Sequence, residues 1–333
     1  MRLVFLGSDA IALPALEYLR GAPEVELVGV ISQPDRPAGR GRHLHANPVA
    51  AWARAQAVTL RQPARLSVED LEWLRAEQVD LALVMAYGHI LRNDFLETPP
   101  RGVWNLHGSL LPAYRGASPV ETALAVGDTM TGVCLMRVVA ALDAGPVADR
   151  EEVPILPTDT GVVLRGRLGQ ACVPLLARNL VALGDGSIKT QPQNDARASY
   201  TRKLTKADAQ LDFAQPAADL ERRIRALQPW PGAVVEHKEV ALKIGGVTVL
   251  TQAATGVPGA IVAVGAAGVD VATGAGILRL LTLQRPGGRM LAAADFLRGY
   301  ALEVGEQLPG HPLTPLVSPR PFPRPARLAA PPA

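Results

Sequence analysis

A two-domain α/β fold is predicted by three observations on this chain of 333 residues. In the first half, short apolar runs alternate with segments of helical periodicity, which is typical of a doubly wound, mostly parallel, Rossmann-like sheet. From residue 211 onward, short strand-like runs are separated by glycines and turn residues, which predicts a small, OB-like β-barrel. The length also suits two domains better than one.

These changes in sequence pattern divide the chain into four segments. We expect an α/β domain over residues 1–188, a basic linker over 189–205, a C-terminal barrel domain over 206–310 and a proline-rich tail over 311–333. The tail is expected to be partly disordered, because proline-rich segments of this kind bury little apolar surface.

Composition excludes several classes of protein. Hydrophobic residues make up 48% and charged residues 20%, as in an ordinary globular chain. No apolar run is long enough to span a membrane, and the first reaches Ser8 and Asp9 too soon for a signal peptide, so we expect a cytoplasmic protein. Cys134 and Cys172 lie far apart in apolar segments, as core residues do, and fit neither a disulfide framework nor a zinc site. The net charge of +3 permits a nucleic-acid partner without establishing one.

The opening of the chain predicts a strand–helix–strand unit. Residues 3–6 form a short apolar run, 11–19 have helical periodicity, and 25–31 form a second apolar run. A dinucleotide site would need G-x-G-x-x-G at the first turn, and only Gly7 is present, so NAD is set aside.

The segment 32–48 is long, polar and rich in arginine. No G-K-[ST] follows its glycines, so it is not a Walker phosphate loop. Charged loops are commonly just solvated, but irregular loops longer than about 12 residues inside a compact domain are usually functional. We therefore expect an irregular loop that binds a polyanion.

The rest of the first domain continues the alternation. Residues 79–86 are almost continuously apolar, as in a strand buried on both faces, and Gly88 after them lets the backbone approach a ligand. Ser67 is the expected N-cap of the helix that follows it. The remaining predicted helices are 48–57, 68–77, 117–126 and 158–183, the last with a kink at Pro174, and the remaining predicted strands are 58–60, 102–107, 131–140 and 146–155.

The second domain is predicted to begin with a basic amphipathic helix over 217–226, which Pro229 prevents from continuing. Short strands separated by glycines and turn signals follow, with one more helix near the end. The predicted strands are 233–235, 240–244, 247–250, 259–264, 268–272 and 277–284, and the predicted helix is 292–298.

The candidate chemistry lies at the end of the strand 102–107. Asn105 and His107 are two residues apart, so an extended strand directs both side chains to one face. Asp143 follows later in the turn-forming sequence L-D-A-G. An amide, an imidazole and a carboxylate make an acid–base and oxyanion-stabilising set. His107 and Asp143 alone are too few ligands for a metal site. Ser109 does not lie in the G-x-S-x-G elbow of a serine hydrolase.

These motifs resemble those of the folate-dependent formyltransferases. The sequences that carry the resemblance are N-L-H-G-S-L-L-P at 105–112, R-G-A-S-P at 115–119, T-G-V at 131–133 and L-D-A-G at 142–145. Four further sequences resemble the branch that acts on charged tRNA: Q-P-D-R-P-A-G-R-G-R at 33–42, K-L-T-K at 203–206, L-E-R-R-I-R-A at 220–226 and P-W-P at 229–231. The resemblance spans residues 2–310 or so.

Two positions depart from the family pattern. Ala144 stands where threonine is common, and Asp9-Ala10-Ile11 stands where a Pro-Asp-Phe-like run is common. The first departure puts the hydrogen bonding beside Asp143 in doubt, and neither removes a catalytic group.

The resemblance implies that the chain transfers formyl from 10-formyltetrahydrofolate to the α-amino group of methionine on initiator tRNA. From the motifs considered above, we expect no metal and no NAD. Asn105 would donate to the oxyanion, His107 would donate to it and relay a proton, and Asp143 would orient the imidazole. The residues implied to bind folate are Met85, Tyr87, Gly88, Ile90, Leu91, Ser109, Leu110, Leu111, Pro112, Leu142 and Gly145. The residues expected to bind tRNA are Arg36, Arg40, Arg42, Lys203, Lys206, Arg222 and Arg225.

Three alternatives stay open at this point. A related formyltransferase would act on a nucleotide or an amino sugar, and a hydrolase would release formate from the same folate. A non-catalytic RNA-binding protein would have no use for Asn105, His107 and Asp143. We expect a monomer.

Overall fold

The computed structural model describes residues 1–38, 43–253 and 256–323. Within these ranges no helix is long and apolar enough to cross a membrane. The strands of the first half are β1 (Arg2–Gly7), β2 (Glu26–Ile31), β3 (Arg36–Ala38), β4 (His43–His45), β5 (Leu60–Arg61), β6 (Leu81–Met85), β7 (Val103–His107), β8 (Arg115–Gly116), β9 (Met130–Arg137) and β10 (Val147–Pro154). The helices of the first half are α1 (Leu13–Gly21), α2 (Pro48–Ala55), α3 (Val68–Ala76), α4 (Asn93–Leu96), α5 (Pro119–Val126), α6 (Gly161–Ala177) and α7 (Leu180–Asp185).

The first half is built on a seven-stranded sheet in the order β10-β9-β7-β6-β1-β2-β5. The pairs from β7 through β5 are parallel, whereas β9 runs antiparallel to both β7 and β10. The predicted doubly wound, mostly parallel sheet is confirmed. Its parallel strands end at the edge where open α/β sheets bind ligands.

The two faces of the sheet are occupied differently around β7. Trp104 and Leu106 pack into the core that α1 and α6 share, and Val103 packs into the core beneath α3. Because side chains alternate along a strand, Asn105 and His107 lie on the α3 side. The site therefore opens on one defined face of the sheet.

Two predictions about the first half are wrong in detail. Residues 36–38 and 43–45 of the expected irregular loop form an antiparallel pair. The predicted single helix 158–183 is two helices, and the break lies after Pro174, at Asn179. The Asn179 amide donates to the carbonyl of Leu175 at 2.8 Å and to Asp149 at 2.7 Å, a local side-chain bond that competes with helix continuation.

The second half contains mainly antiparallel strands. Its strands and helices are β11 (Tyr200–Thr201), α8 (Ala217–Ala226), β12 (Ala233–His237), β13 (Val240–Ile244), β14 (Val247–Leu250), β15 (Ile261–Gly265), β16 (Gly268–Ala272), β17 (Ile277–Leu280), β18 (Thr282–Gln284), β19 (Leu291–Ala292), α9 (Ala293–Leu297) and β20 (Val317–Ser318). Two four-stranded sheets, β12-β13-β18-β19 and β14-β17-β16-β15, share one apolar core. The expected single strand 277–284 turns from one sheet into the other at Leu281.

The linker and the tail pack together against the first half. Strand β11 of the linker pairs in parallel with β8 and antiparallel with β20 of the tail. Leu316 of the tail is buried with Leu204 and Leu227. The expected disorder is therefore wrong for the part of the tail around β20. Residues 324–333 of the predicted tail lie outside the described ranges.

Candidate active site

Asn105 and His107 lie side by side on the open face of β7, as predicted. Asn105 is paired in register with Val84 on β6 and Met136 on β9, and His107 is opposite Cys134. His107 is only 5% exposed, whereas Asn105 is half-buried. No hydrogen bond in the described part of the chain uses the Asn105 side-chain amide. That amide is free to donate to a ligand.

The loop after β7 fixes the ring of His107. The ring nitrogen Nε2 lies 3.0 Å from the carbonyl oxygen of Tyr114. Tyr114 has a left-handed φ of 60°, and its own N–H donates to the hydroxyl of Ser199 at 2.9 Å. Ser199 belongs to the linker, so the linker helps to hold the carbonyl that contacts the imidazole.

Asp143 approaches the other nitrogen of the same ring. Its Oδ2 lies 3.8 Å from His107 Nδ1 and accepts a hydrogen bond of 2.8 Å from the N–H of Gly116. Asp143 has a left-handed φ of 46°, and Gly145 lies so close to the chain that a Cβ there would overlap the carbonyl oxygen of Arg137. The turn is thus pressed against the end of β9.

This geometry assigns a tautomer to His107. A carbonyl oxygen can only accept, so Nε2 must carry the hydrogen that contacts Tyr114. In the neutral ring, Nδ1 then holds a lone pair and faces Asp143. The Nδ1 lone pair and the carboxylate are therefore adjacent on the same side of the ring.

Four of the predicted folate-binding residues have side chains buried away from solvent. Met85 contacts Cys172 on the α6 side of the sheet, and Leu111 packs with Cys134 and Met136. The Ser109 hydroxyl donates to the carbonyl of Ala113 at 2.6 Å. These residues can meet a ligand only through their backbone.

Tyr87 is the fourth buried member of that set. Burial raises the pKa of its phenol to about 12, with a smaller contribution from Asp70. The phenol is therefore neutral at physiological pH and is no acid–base group.

Two members of the predicted folate set have exposed apolar side chains. Ile90, in the loop after β6, is 67% exposed, and Leu142, next to Asp143, is 52% exposed. Exposed apolar side chains of this size offer a surface for a flat aromatic ring. The other members are Gly88, which is exposed, Leu91, Leu110 and Pro112, which are half-buried, and Gly145, which is buried.

The predicted tRNA-binding residues fall into three groups. Arg40 and Arg42 lie outside the described ranges. Arg36 is exposed and donates to the Gln33 side chain at 2.6 Å, and Lys203 and Lys206 are exposed.

Arg222 and Arg225 form the third group and are engaged within the protein. Arg222 pairs with Asp219, and its Nε is buried beside Gly127. Arg225 pairs with Glu221 and donates to the carbonyl of Asp159. Helix α8 packs against α5, so both arginines lie at the contact between the two halves. Neither presents a free cation to phosphate in this arrangement.

Sequence reasoning missed two residues that support the site. The Arg115 side chain is 2% exposed and donates to Gln193 of the linker. Gln193 donates in turn to the carbonyls of Asp143 and Gly145. Arg115 belongs to a motif that the sequence already marked, whereas Gln193 stands in a polar segment that carries no distinguishing signal. Among the described residues, no group of acidic, histidine or cysteine side chains could hold a metal ion.

Replacing Gly116 by alanine should destabilise the fold by about 3 kcal/mol, because its φ is 113° and a Cβ would overlap the Thr201 carbonyl across the β8–β11 pair. Thermal unfolding measures this loss. Gly166→Ala is the matched control, because Gly166 lies in α6 with open space around it and should gain a little stability. Equal unfolding midpoints for wild type and Gly116→Ala would contradict the close approach.

The sequence matches two models of known protein families. Residues 1–180 match the formyl transferase family, and residues 203–301 match the formyl transferase C-terminal domain. The chain belongs to the formyl transferase family. Curated relatives include proteins named methionyl-tRNA formyltransferase from Xanthomonas axonopodis pv. citri, 44% identical over 89% of this chain and 97% of the relative, and from Halorhodospira halophila, 42% identical over 92% and 98%.

Solved structures have the same fold at low identity. The methionyl-tRNA formyltransferase from Clostridium thermocellum has a TM-score of 0.54 at 12% identity and covers 74% of this chain and 93% of its own. An N-formyltransferase from Helicobacter canadensis, solved with folinic acid and dTDP-3-aminofucose, has a TM-score of 0.63 at 17% identity over 84% and 98%.

Proposed function

We propose that the chain transfers the formyl group of 10-formyltetrahydrofolate to the α-amino group of methionyl initiator tRNA, for translation initiation. The observation that carries this proposal is the His107–Asp143 contact beside the Asn105 amide, which has no partner among the described residues, on one face of the sheet. The relatives named methionyl-tRNA formyltransferase, which match almost the full chain, support this acceptor over others.

Formyl transfer needs a donor aimed at a developing oxyanion. When the amine attacks the formyl carbon, the carbonyl oxygen gains negative charge and the carbon becomes tetrahedral. The Asn105 amide donates an N–H to that oxygen without titrating. Because Nε2 of His107 is already used by the Tyr114 carbonyl, Asn105 is the better-placed donor of the two.

The amine must also lose a proton as the new C–N bond forms. His107 accepts that proton at Nδ1, and Asp143 stabilises the resulting imidazolium. The same nitrogen then returns the proton to the departing nitrogen, so that the ring is neutral again after one turnover. The Gly116 N–H holds the carboxylate in place throughout.

The folate supplies the formyl group. Its binding surface in this proposal combines the exposed side chains of Ile90 and Leu142 with backbone groups of the loops after β6 and β7. Residues such as Ser109, whose side chain is already bonded within the protein, contribute only their backbone.

The acceptor tRNA is expected to contact the basic segments. Arg36, Arg40 and Arg42 would approach its acceptor end, and Lys203 and Lys206 would follow its phosphates. Arg222 and Arg225 would contact the tRNA phosphates only after release from their partners, Asp219 and Glu221. The proposal also keeps the predicted domain boundaries, a cytoplasmic location and a monomeric chain.

The KM for methionyl-tRNA should rise steeply with salt, by about 100-fold between about 50 and 200 mM if about four phosphates are contacted. The KM for the folate should hardly change, because its contacts are largely apolar and through backbone groups. Steady-state kinetics over a salt series measures both. Lys203→Ala and Lys206→Ala should each flatten the tRNA dependence, and an equal salt response for the two substrates would contradict the tRNA proposal.

A comparison of acceptors tests the function itself. Initiator tRNA charged with methionine, elongator tRNA charged with methionine, free methionine and a dTDP-amino sugar are each offered with the same folate donor. We expect fast formylation of the charged initiator tRNA alone. Activity confined to free methionine or to the sugar would overturn the proposal.

A further inference from the structure

We propose that Gln193 of the linker is a positioning residue that holds the turn bearing Asp143 in its reactive place. The proposal rests on the function given above, and it assigns a catalytic task to a linker that the sequence predicts to be only a basic connection. The starting observation is that one side chain contacts both the acidic turn and the loop that holds His107.

The amide of Gln193 is used to its full hydrogen-bonding capacity. Its Nε2 donates to the carbonyl oxygens of Asp143 at 2.8 Å and Gly145 at 2.7 Å. Its Oε1 accepts from Arg115 Nε at 3.1 Å and Nη2 at 2.8 Å. A primary amide has two N–H donors and one oxygen with two lone pairs, so every position is occupied.

The orientation of this amide is determined by its partners. A guanidinium can only donate and a carbonyl oxygen can only accept, so the oxygen of Gln193 must face Arg115 and the nitrogen must face the turn. A glutamate could accept from Arg115 but would donate nothing to the two carbonyls. Only an amide can serve both sides.

Gln193 joins Arg115, in the loop that contacts both the His107 imidazole and the Asp143 carboxylate, to the turn that bears Asp143. On one side, Arg115 lies between Tyr114, whose carbonyl contacts His107, and Gly116, whose N–H binds Asp143. On the other side is the turn of Asp143 itself, in which Asp143 has a left-handed φ of 46°. The ends of a strained turn persist only when surrounding bonds hold them.

Arg115 is itself fixed, so the link is rigid. Its side chain is 2% exposed, its Nη2 also donates to Asp195 at 2.7 Å, and its guanidinium lies over the ring of Tyr200. Its backbone N–H donates to the carbonyl of Ser199 at 2.8 Å. The linker thus binds the loop that contains Arg115 through both main-chain and side-chain hydrogen bonds. Gln193 adds hydrogen bonds from the linker to the turn of Asp143.

If Gln193 positions the turn, kcat depends on Gln193 even though its side chain contacts neither substrate. A displacement of about 1 Å at a catalytic group costs on the order of 10²-fold in rate. We expect Gln193→Glu and Gln193→Ala each to lower kcat by about that factor. The KM values for tRNA and folate should stay within about twofold, because no substrate contact is lost.

Gln193→Glu is the decisive variant, because it keeps the acceptor for Arg115 and replaces the donors to the turn by a carboxylate oxygen, which repels the two carbonyl oxygens. Gln193→Ala removes the donors without adding that charge. Gln191→Ala is the matched control, because Gln191 is an exposed linker glutamine whose bonds to Val147 are made by its backbone. Its kcat should equal that of wild type. Thermal unfolding of each variant shows that it is folded.

Two readouts separate positioning from a general structural effect. In a chain that already carries Asp143→Asn, adding Gln193→Glu should lower kcat by less than about threefold, because residues that act as a unit are not additive. Amide hydrogen exchange over 141–146 should accelerate about tenfold in Gln193→Glu and stay unchanged in Gln191→Ala.

Hydrogen exchange keeps this inference separate from the proposed function, because it reports on the turn whichever reaction the chain catalyses. Unchanged exchange in Gln193→Glu would overturn the inference. So would a wild-type kcat in that variant, or an undiminished effect in the Asp143→Asn background. A wild-type chain that formylates no tRNA, while Gln193→Glu still accelerates exchange, would count against the function and for the positioning of the turn.

Discussion

Replacing Asn105 by alanine should lower kcat for formyl transfer by about 10²–10³-fold, the usual cost of one oxyanion-stabilising donor. The side-chain amide lies on the open face of β7 and makes no hydrogen bond within the described residues, so its removal disturbs no bond of the fold. Single-turnover measurements with charged tRNA give the rate of the chemical step directly.

Two further variants define the cause of that loss. Asn105→Asp keeps the size of the side chain and replaces the donor by a carboxylate, which repels the oxyanion, so the loss should be at least as large. Asn93→Ala in α4 changes an exposed asparagine in the connection between β6 and β7 and should leave kcat unchanged. If Asn105→Ala kept kcat within a few-fold of wild type, the oxyanion role would be wrong.

Replacing His107 by alanine should lower kcat by about 10²–10⁴-fold, the range expected when a general acid–base group is lost. Its Nε2 is bonded to the Tyr114 carbonyl and its Nδ1 faces Asp143 at 3.8 Å, so the ring is held with Nδ1 as the nitrogen that transfers the proton. Rapid-quench measurement of formylated tRNA reports this loss.

The partner of His107 provides the check on that interpretation. Asp143→Asn should lower kcat less than His107→Ala, because it leaves the proton-accepting ring in place. The double variant should be little slower than His107→Ala alone, since the carboxylate acts through the imidazole. Full additivity of the two losses would show that the two residues act independently and would contradict the pair.

The local periodicity of the sequence was sufficient to predict the strand and the face on which Asn105 and His107 lie. An alternation of period two along β7 leaves no other face for them once Trp104 and Leu106 are buried. The parallel sheet could also be predicted, because its strands are short apolar runs between helical segments. Asp143 was found through its motif, since nothing local brings its turn to His107.

Features that depend on distant contacts could not be predicted in this way. The bonds of Gln193 to Asp143 and Gly145 join main-chain carbonyls to a side chain far along the chain, which no periodicity reveals. The basic face of α8 was interpreted as a phosphate-binding surface, but a sequence does not show which face of an amphipathic helix packs. In the structure, Arg222 and Arg225 of that face have partners within the protein.

The most direct test of formyl transfer is a single-turnover reaction of the wild-type chain with 10-formyltetrahydrofolate labelled in its formyl group and methionyl initiator tRNA. We expect the label on the α-amino group of methionine, with one tetrahydrofolate formed for each formylated tRNA. Label recovered as free formate, with unmodified methionyl-tRNA, would show a hydrolase and would contradict formyl transfer.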